Sequence, residues 1–300
     1  MTTIGRVTQM TVRNTTLGNL QDNLHKMSQL QTQMSSGVKI NRASDDPSGT
    51  ADVLKIQGDQ RLLAQYDRNA ADGEAWLVTV DSALTTSLAN LRKVRDLTVQ
   101  GGNGALGTTS REALAQEISG LKEALLAQAN TEYLGRPVFA GTVAAPAFGA
   151  ADDAAGAYDF KGVAGATVTR TVASGTTVRV DSDGARVFGT GDDSVFALLD
   201  GIVATLQAGG DPSDQLDAID DRLDAMTTEL SSVGARQNQV DSAQSLIAES
   251  TVTAKTRLGA IQDVDLAQII LDLQSQEVAY KGALGAAAKV LQPTLLDFLR

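Results

Sequence analysis

Two apolar stripes at opposite ends of the chain constrain its fold more than any other feature. Near the N-terminus Leu17, Leu20, Leu24, Met27, Met34 and Val38 keep a 3-4 spacing, with Gln31 as the polar break. Near the C-terminus Leu266, Ile270, Leu273, Tyr280, Leu284, Ala287, Leu291 and Phe298 keep the same spacing, interrupted by Glu277 and Thr294. Such a heptad stripe on a helix is driven out of water and onto another helix. The two ends are therefore expected to pair with each other or with other copies of the chain. That points first to an assembling structural protein and second to an enzyme.

The residues between the stripes extend the same argument. Only five prolines occur in 300 residues, which leaves room for long uninterrupted helices. Residues 13–35 read as a first helix. Asp46 followed by Pro47 is a helix start, and a helical pattern then runs from Ser48 to about Gln100. Its buried side is marked by Val53, Ile56, Leu63, Tyr66, Leu77, Val80, Leu84, Leu88, Leu91 and Val94. At about 1.5 Å per residue, such a helix is roughly 75 Å long if straight. Thr109 with Glu112 predicts a capping box for a third helix to about Asn130. Tyr133 to Gly141 reads as extended. Residues 142–190 change to Gly, Thr, Val and Asp with period-two alternation. Strands are expected at 167–172 and 177–180, with a hairpin turn at Asp183-Gly184. Helix resumes at about 193–208. Asp211-Pro212 then opens a coiled-coil-like helix to about 256, marked by Leu216, Ile219, Leu223, Met226, Leu230, Val233 and Val240.

The expected fold is mainly α with a small β insertion, an elongated rod of long antiparallel helices built from both chain ends. Three parts follow from this reading: a terminal coiled-coil assembly domain (1–40 with 262–300), a long-helix rod domain (41–141 with 191–261), and a small β insertion (142–190). An aromatic content of 4% suits thin helical packing better than a compact enzyme core.

Charge and chemistry narrow the function. A net charge of −11 argues against nucleic acid and against an anionic membrane surface. With no cysteine, disulfides and thiolate metal sites are excluded. Met1 to Val7 lack the apolar run of a secretory signal, so any export is expected to proceed without a cleaved signal. Gly102 to Gly107 spell G-x-G-x-x-G, but a long helix precedes them where a dinucleotide fold needs a strand, so they read as a helix–helix turn. Asp181-Ser182-Asp183-Gly184, with Asp192 and Asp193 nearby, hints at calcium, yet Ala185 stands where a ligand is needed and no glutamate closes the loop. His25 is the single histidine, just off the first stripe, and reads as a solvated or inter-subunit residue. Asp45 and Asp46 read as turn and cap formers rather than as an acid–base pair. No catalytic, cofactor or metal residues are expected. The alternatives that stay open are an enzyme or ligand-binding protein with helical dimerisation arms, and a coiled-coil regulator.

Three further segments carry a resemblance. Ile40-Asn41-Arg42-Ala43-Ser44-Asp45-Asp46-Pro47-Ser48-Gly49-Thr50-Ala51 resembles the I-N-x-A-x-D-D-x-x-G-x-A signature of bacterial flagellins. Gly234 to Ser242 is similar to that family's G-A-x-x-N-R-x-D-S, with Gln239 in place of the arginine. Ile261 to Asp265 resembles I-x-D-A-D at the junction of the last two helices. Tyr133 to Thr142 and the segment Lys289 to Leu299 resemble the branch of the family that joins hook to filament, although Pro137 replaces a more usual aromatic. A short filament-forming flagellin is the alternative. The resemblance implies a structural part of the flagellum, outside the cell, exported unfolded. It implies partners as well: other copies of the chain, neighbouring hook-associated protein and flagellin, and an export chaperone. The stripe residues Leu17, Leu20, Leu24, Met27, Met34, Leu266, Ile270, Leu273, Tyr280, Leu284, Leu291 and Phe298 are then the expected inter-subunit packing positions.

Overall fold

The structure is a computed structural model, and it describes residues 9–150 and 158–290. Seven helices and six short strands alternate as α1 (Gln9–Ser36), α2 (Pro47–Gly101), α3 (Thr108–Ala129), β1 (Glu132–Tyr133), β2 (Arg136–Pro137), β3 (Phe148–Ala150), β4 (Tyr158–Phe160), β5 (Thr169–Ala173), β6 (Thr176–Arg179), α4 (Gly184–Phe188), α5 (Val195–Gln207), α6 (Leu216–Gln262) and α7 (Leu266–Val290) among the described residues. The strands form three two-stranded antiparallel sheets, β1–β2, β3–β4 and β5–β6. The chain divides into two compact units, residues 1–61 with 251–300, and residues 62–250.

In the unit 62–250, α2 buries Ala70, Leu77, Val80, Leu84, Leu91 and Val94, a seam of heptad spacing. The seam of α6 is Ile219, Met226, Val233, Val240 and Ile247, one residue in seven, joined to the same core. Two cross-links set their direction. Arg95 of α2 pairs with Asp220 of α6 at 2.6 Å, and Gln244 Nε2 donates to Glu74 Oε2 at 2.8 Å. The later partner on α2 meets the earlier partner on α6, so the helices run antiparallel. Beside Arg95, the Asp220 carboxyl is held below its ordinary range, chiefly by the side-chain hydrogen bond. The short helices α3 and α5 add Leu114, Ile118, Leu125, Leu199, Ile202 and Leu206 to this core.

The few aromatic residues are gathered rather than spread. Phe148 lies 5.0 Å from Phe196, 5.4 Å from Phe160 and 5.6 Å from Phe188, and Phe139 meets Phe188 edge-on at 5.3 Å. This cluster supplies the sheet region with a core that three two-stranded ribbons cannot make alone.

Three local expectations are corrected. Thr109 and Glu112 form no capping box, because Gly107 occupies the N-cap position and α3 starts at Thr108, without a side-chain cap. Asp183-Gly184 is not a hairpin turn. Asp183 accepts from Ala185 N and Gly165 N and so starts α4, while the β5–β6 connection lies at Ser174-Gly175, where Gly175 takes φ 74°. The segment 133–141 is not one extended run but begins with the tight β1–β2 hairpin, after which Val138, Phe139 and Ala140 are fully buried.

Candidate assembly surface

The unit 1–61 with 251–300 is organised by a chain reversal after α1. Gly37 takes φ 72° and ends the helix. Val38 then pairs with Asp263 across an antiparallel bridge, and Lys39 N donates to Gln262 O at 2.6 Å. Asp45 Oδ2 accepts from the backbone N–H groups of Asn41 and Arg42, at 3.1 and 2.9 Å. Asp46 Oδ1 accepts from Gly49 N at 2.9 Å and Ser48 Oγ at 2.8 Å, which satisfies donors of the first turn of α2. Its pKa is lowered, first by the Gly49 N–H and next by the Ser48 hydroxyl. A Cβ on Gly49 would lie 2.5 Å from Asp46 Oδ2 and 2.7 Å from Ile40 Cδ1, so glycine is required for the carboxylate to sit there. Both carboxylates thus hold backbone at the turn into α2. Farther along, Asp265 Oδ1 accepts from Ala267 N at 2.9 Å and starts α7.

The α1 and α7 helices pack as an antiparallel pair. Asn23 Oδ1 accepts from Gln276 Nε2 at 3.0 Å in the middle, and Val38 meets Asp263 at the end. The less exposed positions on α1 are Thr16, Leu20, Asn23, Met27, Leu30 and Gln33. On α7 they are Ile269, Leu273, Gln276, Tyr280, Ala283 and Ala287. Each set keeps 3-4 spacing, but neither coincides with the stripe read from sequence. Of the expected packing residues, Leu20, Met27, Leu273 and Tyr280 are half-buried. Leu17, Leu24, Met34, Leu266, Ile270 and Leu284 remain exposed, Leu24 at 43% and Ile270 at 45%. Leu291 and Phe298 lie outside the described residues. The sequence reading passed over Ile269, Ala283 and the Asn23–Gln276 pair. The available signal was a second 3-4 register one residue away from the apolar one. Among the described residues the helix pair therefore leaves Leu17, Leu24 and Met34 of α1 and Leu266, Ile270 and Leu284 of α7 exposed along one edge of each helix.

The remaining candidate chemistry is structural. Asp181 accepts from Val168 N at 2.7 Å and from Arg179 through two bonds of 2.9 and 3.1 Å. Arg236 Nη2 donates to Glu229 Oε1 and Nη1 to the Asp181 carbonyl, each at 2.5 Å, and Ser182 Oγ donates to the same glutamate oxygen at 2.7 Å. Asp181 and Asp183 of the run that hinted at calcium are thereby taken up by Arg179 and backbone N–H groups, and no cluster of three or more acidic, histidine or cysteine groups among the described residues is placed to hold a metal ion. His25 lines a shallow polar pocket of about 200 Å³ with Asn41, Arg42 and Asp45, and the Gly102–Gly107 segment is the connection between α2 and α3. No described helix is long and apolar enough to cross a membrane.

Comparison with known proteins gives consistent matches at both ends. Residues 7–144 match the sequence model of the bacterial flagellin N-terminal helical region, and residues 216–299 match that of the C-terminal helical region. The chain is 27% identical to the flagellin of Bacillus subtilis (strain 168), over 95% of this chain and 96% of that one. It is 25% identical to flagellar hook-associated protein 3 of Salmonella typhimurium, over 85% and 87% of the two chains. Among solved structures, a putative flagellar hook-associated protein from Vibrio parahaemolyticus shares the fold with TM-score 0.68 at 22% identity, covering 73% of this chain and all of that one. Flagellar hook-associated protein-3 from Legionella pneumophila does so with TM-score 0.63 at 16% identity, covering 70% and 98%.

Proposed function

Because the chain belongs to the bacterial flagellin family and is a structural protein of the flagellum, we propose that it joins hook to filament and is built into the flagellum through its terminal helices. The observation that carries the assembly reading is the uncovered apolar edge on α1 and α7. Six side chains there, Leu17, Leu24, Met34, Leu266, Ile270 and Leu284, keep 40–52% of their surface in water. Covering what remains is worth about 1 kcal/mol each, or roughly 4–8 kcal/mol per copy. Docking one copy costs about 4–15 kcal/mol in lost freedom. A single pairwise contact is therefore marginal, whereas a lattice in which each copy meets several neighbours is stable. Heterologous contacts of this kind repeat around a helical axis. In this reading residues 1–40 with 262–300 line the inner tube. Residues 41–141 with 191–261 form the next shell, and 142–190 face outward.

The junction role is supported by the fold shared with two hook-associated proteins and by the sequence match to hook-associated protein 3. Its neighbours would be other copies, another hook-associated protein and flagellin, with an export chaperone covering the apolar edge beforehand. The protein would work outside the cell, exported without a cleaved signal. A second reading, a short flagellin that forms the filament, draws on the Bacillus subtilis match, which spans more of the chain. Antibody labelling of isolated flagella separates the two. A junction protein marks one narrow band at the distal end of the hook, and a filament protein marks the whole filament.

Leu24→Asp and Ile270→Asp test the surface itself. Both positions are about half exposed, so the monomer should keep its melting profile, while incorporation into flagella fails. Normal incorporation of both variants would sink the assembly reading.

A further inference from the structure

Within the unit 62–250 one residue sits in a conformation that its own chain does not reward. The β1–β2 hairpin turns through Leu134 at φ 50° and Gly135 at φ 73°. Two positive φ values at the centre of a two-residue turn are the demand met by Asn-Gly, and leucine is a poor choice there because its Cβ crowds the backbone. Nothing within the subunit compensates, since Leu134 is 81% exposed. The turn is nevertheless firmly mounted. The Tyr133 ring packs on Trp76 at 5.5 Å, the Arg136 guanidinium lies over the same indole at 5.9 Å, and Val138 N donates to Thr131 O at 3.0 Å. The result is a rigid apolar knob held out into solvent. Strain of this sort is kept where it serves a contact.

The same unit carries an apolar groove. A groove of about 630 Å³ opens between Leu63 and Tyr66 of α2, Val172 and Val178 of the β5–β6 hairpin, and Ala243 and Leu246 of α6. Its walls are mainly apolar, with Asn238 and Gln239 among the polar residues that line it. Leu246 on the rim is 64% exposed, so the apolar surface continues past the groove. Leu134 does not fill the groove of its own subunit, as its exposure shows.

We propose that the Leu134 turn of one copy inserts into the α2–α6–hairpin groove of the next. Knob and hole lie on different patches of one subunit, so in an assembly that runs head to tail the contact repeats from each copy to the next. It rests on the reading of the chain as a self-assembling protein, but it uses a surface separate from the terminal helices. It also gives a reason for leucine in the turn: the strain in the free subunit is offset only in the assembly.

The chain has no cysteine, which makes the test direct. Full-length Leu134→Cys and Ser242→Cys variants are expressed together, and purified flagella are treated with a short bismaleimide. Cross-linked dimers are expected only when both variants are present, and never from either alone. Leu134→Asn, which suits the turn, should leave the monomer at least as stable and lower the apparent affinity for assembly about tenfold, the ratio expected for one lost buried leucine. Flagella that contain both cysteine variants without cross-linking, or Leu134→Asn chains that assemble as well as the parent, would overturn the groove contact while leaving the terminal-helix reading intact. Failure of every variant and of the parent to enter flagella would refute the assembly reading, and this contact with it.

Discussion

Replacing Arg236 with methionine removes one partner of a buried ion pair and leaves its length in place. The guanidinium and the Glu229 carboxylate expose only 11% and 8% of their side chains and meet at 2.5 Å. Without Arg236 the carboxylate keeps one hydrogen bond, from the Ser182 hydroxyl, with the Arg179 charge nearby but not bonded to it, and the Asp181 carbonyl loses the Arg236 donor. Stranding a buried charge in this way costs about 3–5 kcal/mol, far more than the loss of an exposed pair. The same principle predicts that Glu229→Met with Arg236→Met recovers most of the loss, to within roughly 1–2 kcal/mol of the parent, because no uncompensated charge remains. Trp76 is the only tryptophan, is buried in the same unit, and reports its unfolding in urea by fluorescence. The slope of the transition should stay constant while its midpoint moves. A loss below about 1 kcal/mol for the single variant, or a double variant weaker than the single one, would refute the reasoning. The first result would mean that the charge left behind is compensated by water or by Arg179, and the second that Glu229 contributes beyond its pairing with Arg236.

Two more outcomes follow from the helix-pair unit. The Asp46 carboxyl is lowered in the folded chain, so the stability it contributes is present above its unfolded value, near pH 4, and is lost as the pH falls through the lower folded value. Amide exchange at Gly49 and Thr50 should therefore accelerate only below about pH 4, and Asp46→Asn should keep the cap while removing that acid step; an unchanged acid step in the variant would contradict it. Gln276→Leu strips Asn23 of its partner and should weaken the α1–α7 pair by about 1 kcal/mol, whereas Asn23→Leu with Gln276→Leu should restore it and loosen its register. Hydrogen exchange of α1 reads both effects, and a double variant as weak as the single would count against a polar register pin.

Much of the helical framework was legible before the structure, because heptad spacing directly encodes which side of a long helix leaves water. The α2 and α6 seams, the proline start at Pro47, and the connection at Gly102–Gly107 are of this kind, whereas Pro212 opens a short 3-10 turn and α6 begins after it, at Leu216. The work of Asp45 and Asp46, whose turn and capping chemistry acts over a few residues, is of this kind too, whereas the close fit that requires Gly49 was not legible. The misread positions have other causes. Thr109 and Asp183 carry side chains suited to more than one local motif; at Thr109 the helix starts one residue earlier, behind Gly107, and at Asp183 the choice is made with a partner far along the chain. Gly165 N and Ala185 N converge on Asp183, and the Phe139 carbonyl lies against Gly184.

The assembly surface divides along the same line. Sequence alone determined that each end carries an apolar stripe needing a helical partner, since periodicity is a property of one helix. Only the tertiary structure decided how that stripe is shared, because the α1–α7 pairing turns each helix by about one residue. That rotation puts Leu20, Met27, Leu273 and Tyr280 into the pair and leaves Leu17, Leu24, Ile270 and Leu284 at its edge. The groove facing Leu63 and Leu246 was likewise beyond a sequence reading, since its walls come from three segments brought together only when the core around Trp76 and Val240 closes.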